Sequence, residues 1–260
     1  MKIAIAGKGG VGKTFLAASL ANHFSRKGVR VLAVDADPTP SLAYMLGIPE
    51  TERARIVPIS ERADLVKTKT DSGILGVYRL NFTVDDIIQN YSMRAPNNVN
   101  LIVMGTVSSA GEGCTCPENA LLRALMRHLI VQRDEMIILD MEAGLEHMGR
   151  GTAEHVDLMI VVAEPGHRSL EVACRLVELA RQVKIPRITL IGNKIRNETD
   201  AAALAESANK CGARLGALIP YDTAIQELEV KGLSPIERAN DSKAVCAVIS
   251  FGDSILGNSS

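Results

Sequence analysis

The clearest chemistry in this 260-residue chain lies in eight consecutive residues, Gly7-Lys8-Gly9-Gly10-Val11-Gly12-Lys13-Thr14. They satisfy G-x-x-x-x-G-K-[ST], directly after an apolar run and directly before a segment of helical period. The glycines let successive backbone N–H groups turn inward around phosphate oxygens, and the helix that starts there adds the positive end of its dipole. Lys13 then neutralises the β- and γ-phosphates, and the Thr14 hydroxyl ligates Mg²⁺. With Phe15 in the first helical turn, residues Gly7 to Phe15 form the expected nucleotide-binding stretch. Lys8 is surplus to that task, because Lys13 already serves the phosphates of its own chain. Taken alone, Lys8 could be a solvated surface lysine.

Two acidic segments extend the pattern. Asp35-Ala36-Asp37-Pro38 follows a second apolar run and places carboxylates where the phosphates should lie. A third run, Ile137–Leu139, ends in Asp140, with Gly144 four residues on. That Asp-x-x-x-Gly spacing reads as a segment in which Asp140 holds Mg²⁺ through water and the Gly144 N–H senses the γ-phosphate. Either aspartate alone could instead cap a helix. The base is addressed by Gly192-Asn193-Lys194-Ile195-Arg196, which begins like the guanine-reading N-K-x-D element. Arg196 stands where the carboxylate should be, and an arginine has only donors to offer the guanine N1–H and amine. Adenine fits better, and ATP is the expected nucleotide.

The segment Gly111-Glu112-Gly113-Cys114-Thr115-Cys116-Pro117-Glu118-Asn119 carries a different chemistry. Pro117 suits a first helical position, so both sulfurs sit at a helix N-terminus, where the dipole favours thiolate. Two thiolates one residue apart chelate a soft or borderline metal but fill only half of a tetrahedral site. No other cysteine has comparable spacing, and His147 and His155 fall in the stretch after Asp140. The economical completion is the same pair from a second copy of the chain, giving four sulfurs on a two-fold axis.

The loop GKGGVGKT resembles the deviant Walker A loop of the MinD/ParA/nitrogenase-iron-protein class of dimerising ATPases. That resemblance implies that Lys8 reaches the partner's phosphates, that Asp37 positions or polarises the attacking water, and that Asp35 supports the Mg²⁺ shell. It also implies that the Asn193 amide, with Lys194 and the backbone around Pro220, Tyr221 and Asp222, contacts adenine. The runs GCTCPENALLRALMRHLI and LDMEAGLEHMGRGTAEHVD are similar to the carbon monoxide dehydrogenase accessory ATPases of the CooC type. The similarity spans almost the whole chain and is weakest over about residues 48–95. It implies a homodimer formed with ATP, Ni²⁺ or Zn²⁺ bridged by Cys114 and Cys116, and carbon monoxide dehydrogenase or acetyl-CoA synthase as the target. An iron–sulfur carrier of the same fold is the alternative; a nitrogenase-type reductase would need a second cysteine after Asp140, and residues 140–151 contain none. A positioning ATPase fits less well, since no Lys or Arg follows Lys243, and residues 51–70 are only weakly basic.

The elements that must hold these groups are visible as apolar runs at Lys2–Ala6, Val29–Val34, Val99–Met104, Met136–Leu139, Leu158–Val162, Ile188–Ile191 and Arg214–Ile219. They are apolar on both faces, as strands of a parallel sheet covered on both sides are. Segments of helical period lie between them, at Thr14–Lys27, Glu118–Gln132, Ser169–Val183 and Asp200–Cys211. The alternation predicts an α/β P-loop NTPase fold, a mostly parallel central sheet with helices on both faces, as one domain over residues 1–260. Residues 38–98 break the rhythm with five prolines, and only Ser41–Leu46 and Val84–Asn90 read as helical. They are expected to elaborate the nucleotide edge.

Charge and composition exclude other classes. With 29 Lys+Arg against 30 Asp+Glu, binding dominated by nucleic-acid phosphates is not expected. No apolar run approaches the roughly 20 residues of a membrane span. Gly7 interrupts the N-terminal apolar stretch after about four residues, too few for a secretory leader, so a cytoplasmic location with reduced thiols is expected. Of the five cysteines, Cys174, Cys211 and Cys246 have no motif spacing and are expected in the core.

Overall fold

A computed structural model describes residues 1–37, 39–73, 84–105, 117–132, 135–142, 150–238 and 242–257. Among them are eight strands: β1 (Lys2–Gly7), β2 (Val31–Ala36), β3 (Met93–Arg94), β4 (Asn100–Val103), β5 (Met136–Met141), β6 (Leu158–Ala163), β7 (Ile188–Ile195) and β8 (Arg214–Pro220). They form one sheet in the order β3-β4-β2-β5-β1-β6-β7-β8. Every pairing is parallel except that of β3 with β4. The seven apolar runs of the sequence are therefore the seven parallel strands. The two-residue β3 was not legible, because so short a segment has no period to read.

Successive residues of each strand face opposite sides; both sides are buried in β1, β2, β5 and β6, whereas the border strands β3 and β8 are mostly half-buried. In β1, Ile3 and Ile5 join one core while Ala4 and Ala6 join the other; in β2, Val31 and Ala33 separate from Leu32 and Val34 in the same way. Helix α1 (Lys13–Arg26) covers the first face with Leu16, Leu20 and Phe24. The residues between β2 and β3 contain four short helices: α2 (Leu42–Met45), α3 (Glu50–Arg53), α4 (Ala63–Thr70) and α5 (Asp85–Tyr91). Their apolar side chains join the two existing cores, with Leu42 and Ile48 on the α1 side and Leu65, Ile87 and Ile88 on the other.

The second face is covered by α6 (Pro117–Gln132), through Leu121, Leu125 and Leu129, and by α8 (His167–Gln182), through Ala173, Leu176 and Val177. A single turn, α7 (Arg150–Ala153), precedes β6. Helix α9 (Glu198–Cys211) starts at an Asn197 side chain that accepts from the Asp200 N–H and stops at Gly212, whose φ of 64° is left-handed. After β8 come α10 (Thr223–Val230), α11 (Pro235–Arg238) and α12 (Lys243–Gly257). Helix α12 returns to the first face, where Val248, Phe251 and Ile255 pack in the α1 core. Its glycine and β-branched residues hide its helical period in the sequence.

One expectation fails here. Cys246 is exposed, and Cys174 and Cys211 are half-buried, so none of the three is fully in the core, although Cys211 packs against it. On α12 the buried positions are Ala244, Val245, Val248, Phe251, Gly252 and Ile255, and Cys246 falls off that stripe. No helix among the described residues is long and apolar enough to cross a membrane.

Sheet and helix approach closely at Gly192, in β7. A Cβ there would lie 2.7 Å from Leu218 Cδ2 and 2.8 Å from Leu204 Cγ. Gly192→Ala is therefore expected to lower unfolding stability by about 1–3 kcal/mol through overpacking, measured by urea denaturation of the nucleotide-free protein.

Candidate nucleotide and hydrolysis site

The phosphate loop is built where β1 ends and α1 begins. Gly10 and Gly12 have φ of 81° and 94°, a backbone that other residues rarely adopt. Gly12 is also the residue before the helix, and no side chain caps the first turn of α1, which contains no acidic residue. Those N–H groups point to an anion instead. Lys13 is buried at the base of the loop, while Lys8 is exposed at its tip.

The loop is held from outside by the end of β7. The Asn193 amide donates to the Val11 carbonyl at 2.7 Å, and Lys194 Nζ donates to the Gly10 carbonyl at 2.8 Å. Asn193 Oδ1 in turn accepts from the Lys194 N–H at 2.9 Å. Glu164, at the carboxyl end of β6, pairs with Lys194 at 2.5 Å, and the Ser169 hydroxyl accepts from the Glu164 N–H. Two outward-turned carbonyls are thus satisfied, which leaves the inward N–H groups for the ligand. Gly12 packs so closely on the Asn193 amide that a Cβ there would collide with it.

Asp35 and Asp140 are register partners on neighbouring strands, both fully buried. Asp35 organises the loop that follows it, accepting from the Asp37 N–H at 3.2 Å and the Leu42 N–H at 2.9 Å. Burial pushes its pKa up to about 6 against those bonds. Asp140 lacks backbone bonds of that kind, and neither of its carboxylate oxygens has a full hydrogen-bond partner among the described residues. Burial pushes it up to about 7, helped by the charge of Asp35 and opposed by Lys13 and by Thr14, whose hydroxyl is near but not in full hydrogen-bonding geometry. The Ser41 hydroxyl is 3.4 Å from Thr14 Oγ1. A buried carboxylate without a full hydrogen bond, beside the Thr14 hydroxyl, suits a divalent cation that arrives with the nucleotide. Asp37 is half-buried, and its Oδ1 accepts from both the N–H and the hydroxyl of Thr39 at 2.9 Å.

A cleft of about 710 Å³ runs from the phosphate loop past Lys194 and Arg196 to Tyr221, Asp222 and Glu229. Its size and polar lining suit a nucleotide. The Arg196 guanidinium lies 4.4 Å from the Tyr221 ring centroid, and the Tyr221 hydroxyl donates to Gln226 at 2.5 Å. Pro220 lines the same wall. Asp222 works as a cap: it accepts from the Ala224 N–H of α10 and, at 2.6 Å, from the Ser242 hydroxyl ahead of α12. The Ser242 bond is the main reason its pKa is lowered.

The structure thus brings together Gly7 to Phe15, Asp35, Asp37, Asp140, Asn193, Lys194, Pro220, Tyr221 and Asp222 at one edge of the sheet. Gly144, Cys114 and Cys116 lie outside the described residues. Sequence reading missed Glu164, although its signal was present: like Asp35 and Asp140, it is an acidic residue at the carboxyl end of an apolar strand.

Strand, loop, helix and paired strand-end carboxylates define a P-loop ATPase. Residues 2–236 match the CobQ/CobB/MinD/ParA nucleotide-binding domain family. The chain is 44% identical over 236 residues to the carbon monoxide dehydrogenase accessory protein CooC of Rhodospirillum rubrum, covering 90% of this chain and 89% of that one. It is also 44% identical over 247 residues to an uncharacterised ATP-binding protein of Methanocaldococcus jannaschii, covering 94% and 93%. Among solved structures it resembles MinD of Pyrococcus horikoshii OT3 complexed with Mg-ADP, with a TM-score of 0.66 at 21% identity over 98% and 95% of the two chains. A ParA-family ATPase of Chlorobium tepidum TLS gives 0.69 at 20% identity over 96% and 97%. Those two likenesses concern the fold. The chain belongs to the CobQ/CobB/MinD/ParA family and is an ATPase of the CooC type.

The unpartnered Asp140 has a measurable signature. Its folded pKa of about 7 exceeds the unfolded value of 3.8, so the folded state binds more protons between these values. Its contribution to stability therefore falls as pH rises through that window. Asp140→Asn is expected to abolish Mg²⁺-dependent ATP hydrolysis while raising the melting temperature of the nucleotide-free protein by roughly 5 °C at pH 8. The difference should shrink towards zero as pH falls to about 4, as followed by calorimetry across pH.

Proposed function

We propose that this ATPase is a metallochaperone that assists nickel insertion into carbon monoxide dehydrogenase or its acetyl-CoA synthase relatives. The observation that carries the reading is the end-to-end similarity to a carbon monoxide dehydrogenase accessory protein in a chain that also contains Cys114-Thr115-Cys116. The described residues that flank this segment support it. Strand β4 ends at Val103 and α6 begins at Pro117, both at the carboxyl edge of the sheet where the phosphate loop lies.

ATP enters the cleft with its phosphates against the Gly9–Thr14 backbone and Lys13. Thr14 and Asp140 would hold Mg²⁺, with Asp35 behind them; bound there, the ion neutralises phosphate charge. Asp37 exchanges Thr39 for the attacking water and orients it. Lys8, exposed at the loop tip, serves the nucleotide of a second subunit, so hydrolysis requires a homodimer. The same closure brings two Cys114/Cys116 pairs together around one Ni²⁺ or Zn²⁺, the cargo. Cleavage to ADP and phosphate removes the charge that holds the subunits closed, and the metal is released to the target. Adenine lies towards Pro220 and Tyr221, with Asn193 and Lys194 beneath it.

A second reading, an iron–sulfur carrier, draws on 25% identity over 94% of this chain to the light-independent protochlorophyllide reductase iron-sulfur ATP-binding protein of Rubrivivax gelatinosus. An anaerobic absorption spectrum separates the two, because a cluster gives visible charge-transfer bands that Ni²⁺ or Zn²⁺ in this site does not match.

Two measurements test the leading reading. Equilibrium dialysis is expected to find about one Ni²⁺ or Zn²⁺ per dimer in the wild type and none in Cys114→Ala/Cys116→Ala; unchanged metal binding in the double variant would refute it. Lys8→Ala is expected to bind ATP with affinity within about threefold of wild type but to lose at least about 100-fold in hydrolysis, as an arginine-finger type of contribution does. Retained hydrolysis in that variant would remove the role in trans.

A further inference from the structure

Two cysteines that the nucleotide site does not use meet between α8 and α9. Cys174 lies in the second turn of α8, and Cys211 is the last residue of α9. Both are half-buried, and both thiols converge on Ser207, one turn before Cys211. Cys174 Sγ lies 3.6 Å from Ser207 Oγ and 3.9 Å from the Ser207 carbonyl oxygen. Cys211 Sγ donates to the same carbonyl at 2.9 Å. Burial first, and then direct interaction with the Cys174 thiol, push the Cys211 thiol up to about 11. The two helices follow the adjacent parallel strands β6 and β7, so the sheet sets their approach.

We infer that Cys174 and Cys211 form a dithiol that closes to an intramolecular disulfide and staples α8 to α9. The oxidant is a low-molecular-weight disulfide. The Cys174 thiolate, its proton released to solvent, attacks one sulfur and expels one small thiolate, leaving a mixed disulfide on Cys174. Deprotonated Cys211 then attacks the Cys174 sulfur and expels the second small thiolate. Two protein thiols are oxidised and one small disulfide is reduced to two thiols. The order follows from the surroundings, because a thiol held near 11 supplies little thiolate and is the poorer first attacker.

The place of the staple gives it a consequence. Strand β6 delivers Glu164 and then runs into α8; β7 delivers Asn193 and Lys194 and then runs into α9. A bond between Cys174 and Cys211 ties together the two helices behind the groups that grip the phosphate loop. It also constrains the unfolded chain, which raises stability.

The test uses the full chain with all five cysteines, reduced, equilibrated in graded glutathione redox buffers, acid-quenched, alkylated and peptide-mapped. The expected product is a Cys174–Cys211 cross-linked peptide that dithiothreitol reverses, with a higher melting temperature for the oxidised than for the reduced protein. Cys211→Ser should instead hold a stable glutathione adduct on Cys174, and Cys174→Ser should leave Cys211 free. The inference is overturned if Cys174 and Cys211 both remain alkylatable when exposed Cys246 is fully glutathionylated, or if either pairs with a different cysteine. The map of the unmutated protein decides this even if a variant misfolds.

Discussion

The grip of β7 on the phosphate loop is the interaction on which the site depends. A loop that offers several N–H groups to an anion must turn its carbonyls outward, and outward carbonyls in a crowded fold need donors of their own. Asn193 and Lys194 supply them to Val11 and Gly10, and Glu164 holds Lys194 in place. Three strands of the sheet, β1, β6 and β7, therefore share one small polar network at their carboxyl ends. The absence of a side chain at Gly12 is part of it, since the Asn193 amide fills that space. Asn193 and Lys194, read in the sequence as base contacts, have a first task in holding the loop itself.

Beside this satisfied network stands one that is left open. Asp35 and Asp140 are equal in burial and adjacent in register, yet among the described residues Asp35 is hydrogen-bonded to backbone N–H groups and Asp140 is not. The difference separates their roles. Asp35 uses its oxygens to shape the loop that carries Asp37, while those of Asp140 are left without a hydrogen-bond partner among the described residues, as the proposed cation site requires. Leaving a buried carboxylate without partners costs stability in the nucleotide-free protein, and on the proposed reading Mg²⁺ arriving with the nucleotide would offset that cost. On that reading, ligand binding and folding would be coupled through this one side chain.

Much of this was legible in the sequence because it rests on short-range pattern. The phosphate loop, the strand-end carboxylates and the seven two-sided apolar runs are contiguous signals, and each is a direct consequence of backbone geometry or of burial on both faces. What could not be read depends on contacts between distant segments. The pairing of Glu164 with Lys194, the stacking of Arg196 on Tyr221 and the capping of two helices by Asp222 each need the sheet order, which no local spacing encodes. The cysteines show both sides of this. The spacing of Cys114 and Cys116 advertises itself, whereas Cys174 and Cys211 are 37 positions apart in the numbering and meet only because β6 and β7 are neighbours.

The two borders of the sheet limit how copies of the molecule can join. One border is the two-residue antiparallel β3, which carries Arg94 and runs directly into Pro96. The other is β8, whose pairing with β7 is interrupted by register shifts and which closes on Pro220. Among the described residues, one border is thus very short and the other irregular, and both run into a proline, features that disfavour growth of the sheet by a further strand. Any association between copies would then rest on loops and side chains, whose charges and shapes a bound ligand can alter. Contacts of that kind can be made and broken, whereas strand added to strand would commit copies to a permanent assembly.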